Sequence, residues 1–278
     1  MSLNMSLVGQ KTDPLTFAYQ WKDAVLYALG VGAKIDELAF LNDADGPKVL
    51  PTFAVVPSFD ALIAVTSKLG ANPLMVVHGE QTVNLLRPIA PAGKLVTTAE
   101  VTGIYDKGKG ALCVVKAETR DGDGEAVFEN VFSIFVRGAG GFGGERGPET
   151  PKNDPPEGAE PAFSVTETTA AEQAALYRLS GDLNPLHINP QFAKMAGFDR
   201  PILHGLCTYG FAGRAVLKTL CGGDPSRFKS FSARFSGVVF PGDSLTTRGW
   251  DLGGGRFAIQ TTTGDGRTVL SNSVAEVA

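Results

Sequence analysis

Gly122-Asp-Gly-Glu-Ala-Val-Phe-Glu-Asn130 recurs in this chain as Gly264-Asp-Gly-Arg-Thr-Val-Leu-Ser-Asn272. Each copy places a Gly-Asp-Gly turn after a run rich in β-branched and apolar residues, ALCVVKAET at 111–119 and RFAIQTTT at 256–263. Turn glycines between such runs favour a two-stranded antiparallel pair, so both copies read as β-hairpins. The likeness continues upstream, where Pro91-Ala-Gly-Lys-Leu95 parallels Pro241-Gly-Asp-Ser-Leu245 as a turn into another strand. A repeat on this scale makes the chain two related units, and gene duplication is its simplest origin.

Between the units, residues 138–161 read GAGGFGGERGPETPKNDPPEGAEP. Half of these positions are Gly or Pro, which excludes a regular helix or a central strand and marks a linker. In the second unit Tyr209, Ala212, Val216, Leu217 and Leu220 form one stripe of a helix that would pack on the sheet. FDALIAVTSKLG at 59–70 is the matching helix of the first unit. The fold class is α+β, with units at 8–137 and 162–278, each a mostly antiparallel sheet against a helix. The repeated Met-Ser-Leu at 1–3 and 5–7 reads as an appended leader ahead of the native start and is set aside for the fold.

The composition, 43% apolar and 19% charged, is that of an ordinary globular protein. A net charge of −4 argues against general nucleic-acid or membrane-surface binding, which uses excess Lys and Arg. Cys113, Cys207 and Cys221 are odd in number and far apart, so neither a disulfide nor a zinc framework is expected. No apolar run reaches the roughly 18–20 residues of a membrane span. With no secretory leader and an Ala-Glu-Val-Ala ending unlike a peroxisomal address, the expected compartment is the cytoplasm.

The chemistry concentrates in Ser180-Gly-Asp-Leu-Asn-Pro-Leu-His187. Gly181 and Pro185 prevent a regular helix, so Asp182 and His187 sit on a shaped loop able to point both inward. A carboxylate beside an imidazole can hold and polarise one water. Asn184 would fix the loop or a substrate oxygen. The alternative, a capping Asp and a satisfied surface His, stands equally on these residues alone. Downstream, Arg200-Pro-Ile-Leu-His-Gly-Leu206 leads into the striped helix, where the Gly205 N–H could face a carbonyl oxygen that gains charge. His204 is open between orienting that turn and taking part in catalysis.

Two short patterns are set aside. Gly138–Gly143 has the letters of a dinucleotide fingerprint but no helix after it, and Asp121-Gly-Asp-Gly lacks the spacing of a calcium loop. Three scattered histidines suggest no metal site.

The run YRLSGDLNPLHINPQFAKMAGFDRPILHGLCTYGFAGRAV at 177–216 closely resembles the R-specific 2-enoyl-CoA hydratases, the hydratase 2 enzymes of the MaoC-like group. The resemblance extends through VLYALGVGA at 25–33, His78-Gly-Glu-Gln81 and the Gly-rich linker, over most of the chain. It implies a double hot-dog fold in which the N-terminal half shapes the acyl pocket and the C-terminal half bears the catalytic loop. It implies a substrate, a trans-2-enoyl-CoA of fatty acid metabolism hydrated reversibly to the 3R-hydroxyacyl thioester. Asp182 and His187 would be the water-activating pair, Asn184 would lie between them and the Gly205 N–H would face the thioester carbonyl. His78, Gly79, Lys107 and Phe235 would be further substrate contacts. Lys107 suits a CoA phosphate and Phe235 an apolar wall, although a solvated loop lysine and a core phenylalanine are their ordinary roles.

No cofactor is implied beyond the CoA of the substrate. Hot-dog sheets often pair into dimers; two copies in one chain already supply such a pair, and a homodimer of the whole chain is a further expectation. Two rival functions remain at this point, a hot-dog acyl-CoA thioesterase and an acyl-CoA-binding module without turnover.

Overall fold

The computed structural model describes residues 3–44 and 46–278, and of the leader residues 1 and 2 lie outside it. Among the described residues, ten strands form one antiparallel sheet. The first five are β1 (Leu15–Tyr19), β2 (Val76–Leu85), β3 (Gly93–Asp106), β4 (Gly110–Asp121) and β5 (Ala126–Arg137). After the linker come β6 (Phe163–Thr168), β7 (Phe228–Phe235), β8 (Ser244–Gly253), β9 (Arg256–Thr263) and β10 (Thr268–Val277). Their order across the sheet is β1-β3-β4-β5-β2-β7-β10-β9-β8-β6. Read outward from the β2/β7 seam, the two sides have the same order, so the repeat is one of topology as well as sequence.

Both Gly-Asp-Gly turns connect the hairpins expected of them, β4 to β5 and β9 to β10. The seam is held by backbone pairing from Glu80↔Arg234 to Asn84↔Ser230. Side chains reinforce it, because Thr82 donates to Ser232 at 2.9 Å and Arg234 Nε donates to Glu80 at 2.7 Å. Sharing a ladder across the seam removes two sheet edges that would otherwise be open to aggregation.

Five helices accompany the sheet: α1 (Trp21–Gly30), α2 (Val55–Thr66), α3 (Gln173–Tyr177), α4 (Pro190–Met195) and α5 (Gly205–Leu220). The segment expected to be helical at 59–70 begins four residues earlier and stops at Thr66. Helix α5 departs further from expectation, for every residue from Leu206 to Leu217 is buried and not one stripe alone. Segments of the N-terminal half cover its other faces. A Cβ at Gly210 would meet Val31 Cγ1 at 2.3 Å, and one at Gly213 would meet Thr52 Cγ2 at 2.4 Å. These glycines, costly inside a helix, are what lets the two halves approach.

Within that cover lies Arg214, 2% exposed. Its Nε reaches Glu37 at 3.1 Å, its Nη1 reaches Glu167 at 2.6 Å and the Val31 carbonyl at 3.2 Å, and its Nη2 also donates to Glu167. One cation thus joins the loop after α1, strand β6 and α5. Burial raises the Glu167 carboxyl above its usual range, and the Arg214 charge opposes that rise.

The hydrophobic core has two centres, one around α5 and one around α2. Leu3 and Leu7 belong to the second, and Val8 bridges to Val101. Setting the first residues aside is therefore corrected: apolar side chains there fill the space beside α2.

The linker forms no helix or strand but is tied down. The Asp106 carboxylate accepts from the Gly108, Gly141 and Gly143 N–H groups, each at 2.8 Å. Those donors, Gly141 first, hold its pKa below the usual carboxylate range. A depressed pKa means that the tie is complete above the unfolded aspartate value of about 3.9 and is lost as pH falls through the folded one. Asp106→Ala is expected to speed limited proteolysis within 138–161 several-fold at neutral pH, and the wild type should approach the variant as the pH drops below about 4.

Candidate active site

The segment from Gln173 to His187 contains helix α3, a 3-10 turn at Arg178–Ser180 and another at Pro185–His187. Gly181 joins the turns at φ 125°, a conformation that side-chain-bearing residues rarely adopt. Asn184 caps the second turn, its Oδ1 accepting from the Leu186 N–H at 3.0 Å. The Asp182 Oδ1 accepts from the Asn184 N–H at 3.2 Å. Asp182 and His187 are thereby brought together, with side-chain atoms within 4.8 Å of each other.

His187 Nδ1 donates to the Ile202 carbonyl at 2.9 Å, which leaves Nε2 for other partners. His204 Nε2 donates to the Asp182 carbonyl at 3.1 Å. The two imidazoles stack at 3.7 Å, and Tyr177 packs on His204 at 4.9 Å. A carboxylate oxygen of Asp182 and one ring nitrogen from each histidine lie within 4.8 Å of one another. Two of the three histidines are thus brought together, contrary to the scatter the sequence suggests. One nitrogen of each ring already serves a backbone carbonyl, and the other nitrogen of His204, Nδ1, is buried without a hydrogen-bond partner among the described residues.

Burial raises the Asp182 pKa and the His187 charge opposes it; burial lowers the His187 pKa and the Asp182 charge opposes that. The pair titrates as a unit. His204 is lowered by burial first and by the neighbouring His187 second. It is therefore neutral, and it orients both the Asp182 backbone and the His187 ring.

Gly205 opens α5 with His204 as its N-cap, so its N–H belongs to the first turn, where helical N–H groups lack carbonyl partners. Phe235, ending β7, packs on that glycine, since a Cβ there would meet its ring at 3.2 Å. His78 of β2 lies edge-on to Phe235 at 5.0 Å. Its Nε2 bonds to the Glu80 carbonyl at 3.1 Å across a bulge at Gly79, and burial lowers its pKa to about 4. His78, Gly79, Phe235 and Gly205 thus form one wall contributed by both halves.

Lys107 is placed apart. It lies in the β3–β4 turn, two to three strands from β2 or roughly 10–14 Å across the sheet. Its ammonium donates to the Arg146 carbonyl of the linker. Several contributors carried no signal in the sequence. The cleft beside Asp182 is lined by Tyr177, Ser180 and Leu206 from the second half and by Val55, Val56 and Phe59 from α2.

A double hot-dog scaffold with a half-buried Asp beside a buried His at an open helix N-terminus defines the class. Residues 17–138 match the MFE-2 hydratase 2 N-terminal domain, and residues 152–273 match the MaoC like domain. Enoyl-CoA hydratase 2, peroxisomal, of Arabidopsis thaliana is 40% identical over 96% of this chain and 93% of its own. The 3-hydroxyacyl-thioester dehydratase Y of Mycobacterium tuberculosis is 40% identical over 99% of each. The crystal structure of a MaoC-like dehydratase from Phytophthora capsici superposes with a TM-score of 0.90 at 34% identity, covering 99% of this chain and 98% of that one. The chain belongs to the hydratase 2 family of MaoC-like proteins. None of its described helices is long and apolar enough to cross a membrane.

Proposed function

We propose that this protein is a lyase that hydrates 2-enoyl-CoA thioesters of fatty acid metabolism, reversibly, to (3R)-3-hydroxyacyl-CoA. The observation that carries the reading is the half-buried Asp182 within 4.8 Å of the buried His187, beside the open N-terminus of α5. The thioester carbonyl accepts the Gly205 N–H, which withdraws electron density from C3. Water attacks C3, and the Asp182 carboxylate takes one of its protons. His187, fixed by Ile202, positions the water through Nε2 and gives the pair's shared proton to C2. The proton now on Asp182 returns to His187, so atoms and charge balance over the cycle. Asn184 keeps the loop in shape. Phe235, His78 and Gly79 form the wall for the thioester arm, and Lys107 stands far enough along the sheet to meet a phosphate of CoA. Val55, Val56 and Phe59 give the acyl chain an apolar passage.

The test is incubation with crotonyl-CoA while following the conjugated-thioester absorbance and free thiol. Loss of absorbance without thiol is expected. Thiol release would replace the reading with thioester hydrolysis, and binding without change would reduce the protein to a carrier module.

A further inference from the structure

The proton inventory of the cleft leaves one position of the attacking water without a partner. A water in this site has four directions: one O–H to Asp182, one lone pair from His187 Nε2–H, one lone pair to C3, and a second O–H. Val55, Val56, Phe59 and Leu206 give the cleft around it a mainly apolar wall. Besides Asp182, the polar side chains that line the same cleft are Tyr177 and Ser180, and Ser180 directly precedes the Gly181–Asp182 turn. Its Oγ is buried and has no hydrogen-bond partner among the described residues. Buried hydroxyls are seldom left unmatched, because an unmet one carries a desolvation cost. Gly181, at φ 125°, sets the turn that carries Ser180 and Asp182 into the same cleft.

We propose that Ser180 Oγ accepts the second O–H of the attacking water and, after C3–O bond formation, the O–H of the 3-hydroxyl product. This rests on the hydratase reading above. Ser180 then touches the reacting oxygen and distinguishes hydroxylated from unhydroxylated thioesters. The unsaturated substrate has no oxygen at C3, so its binding does not depend on the hydroxyl.

Ser180→Ala is compared with wild type and Ser180→Thr for turnover of crotonyl-CoA and for binding of 3-hydroxybutyryl-CoA and butyryl-CoA. In the alanine variant kcat should fall about 3- to 10-fold with KM unchanged, and 3-hydroxybutyryl-CoA should lose a similar factor while butyryl-CoA does not. Ser180→Thr, which keeps a hydroxyl, should recover part of both. Equal losses for the two ligands, or no loss for either in an active variant, would overturn the assignment. A wild type that binds these thioesters without hydrating crotonyl-CoA would instead sink the hydratase reading, and this inference with it.

Discussion

Replacing Asp182 with Asn is expected to lower kcat for 2-enoyl-CoA hydration by about 10²- to 10⁴-fold while leaving the thermal midpoint nearly unchanged. Asparagine is nearly isosteric and its Oδ1 can still accept the Asn184 N–H that Asp182 accepts now. The loop therefore survives, and what disappears is the base. His187→Ala should cost a similar factor by removing the group that positions water and protonates C2. In the wild type, activity requires the pair to hold one proton, so kcat should decline on both sides of an optimum, and the limb set by the carboxyl should vanish in Asp182→Asn. Steady-state kinetics across pH check this. Turnover in either variant near the wild-type rate would remove the pair from its assigned role.

Arg214→Met should destabilise the fold on the order of 3–5 kcal/mol, or about 6–10 °C in thermal midpoint. The substitution keeps an apolar chain of similar length but strands Glu37 and Glu167 as a buried pair of like charges. Breaking one partner of a buried network is much worse than never having built it. The loss depends on pH with a definite sign. Glu167 already has a raised folded pKa, and removing the cation raises it further. A raised acid favours the fold below its unfolded pKa and opposes it once the pH exceeds the folded value. The gap between variant and wild type should therefore narrow as pH is lowered from neutral toward the unfolded carboxyl value of about 4.3. A gap that stays constant across that range would show that lost packing, not stranded charge, dominates.

The hairpins were readable because their information is local: a Gly-Asp-Gly turn and the alternation beside it need nothing from the rest of the chain. The β2/β7 seam was not, since VVHGEQTVNL carries only weak alternation and its partner strand lies beyond the linker. Helix α5 looked one-sided for the same reason. The residues that cover its far face, Val31 and Thr52, are remote in sequence, and glycines at 210 and 213 signal a close approach without naming the neighbour. At the site, Asp182, His187 and Gly205 were legible because one segment contains all three. The Ile202 carbonyl that fixes His187 was not, because backbone acceptors leave no mark in a residue string. Neither was the α2 wall, which reaches the cleft from the other half.

The continuous ladder through the seam has a consequence for how such a protein can change. In a dimer of identical hot-dog chains, symmetry enters every substitution twice: a residue that widens the passage in one subunit also alters the catalytic loop's surroundings in the other. Fusion into one chain lifts that constraint. On the proposed function, Val55, Val56 and Phe59 are free to drift toward a new acyl length while Asp182 and His187 stay as they are. On that reading, covalent linkage turns a symmetric assembly into one with separable inheritance, a tuning half and a reacting half.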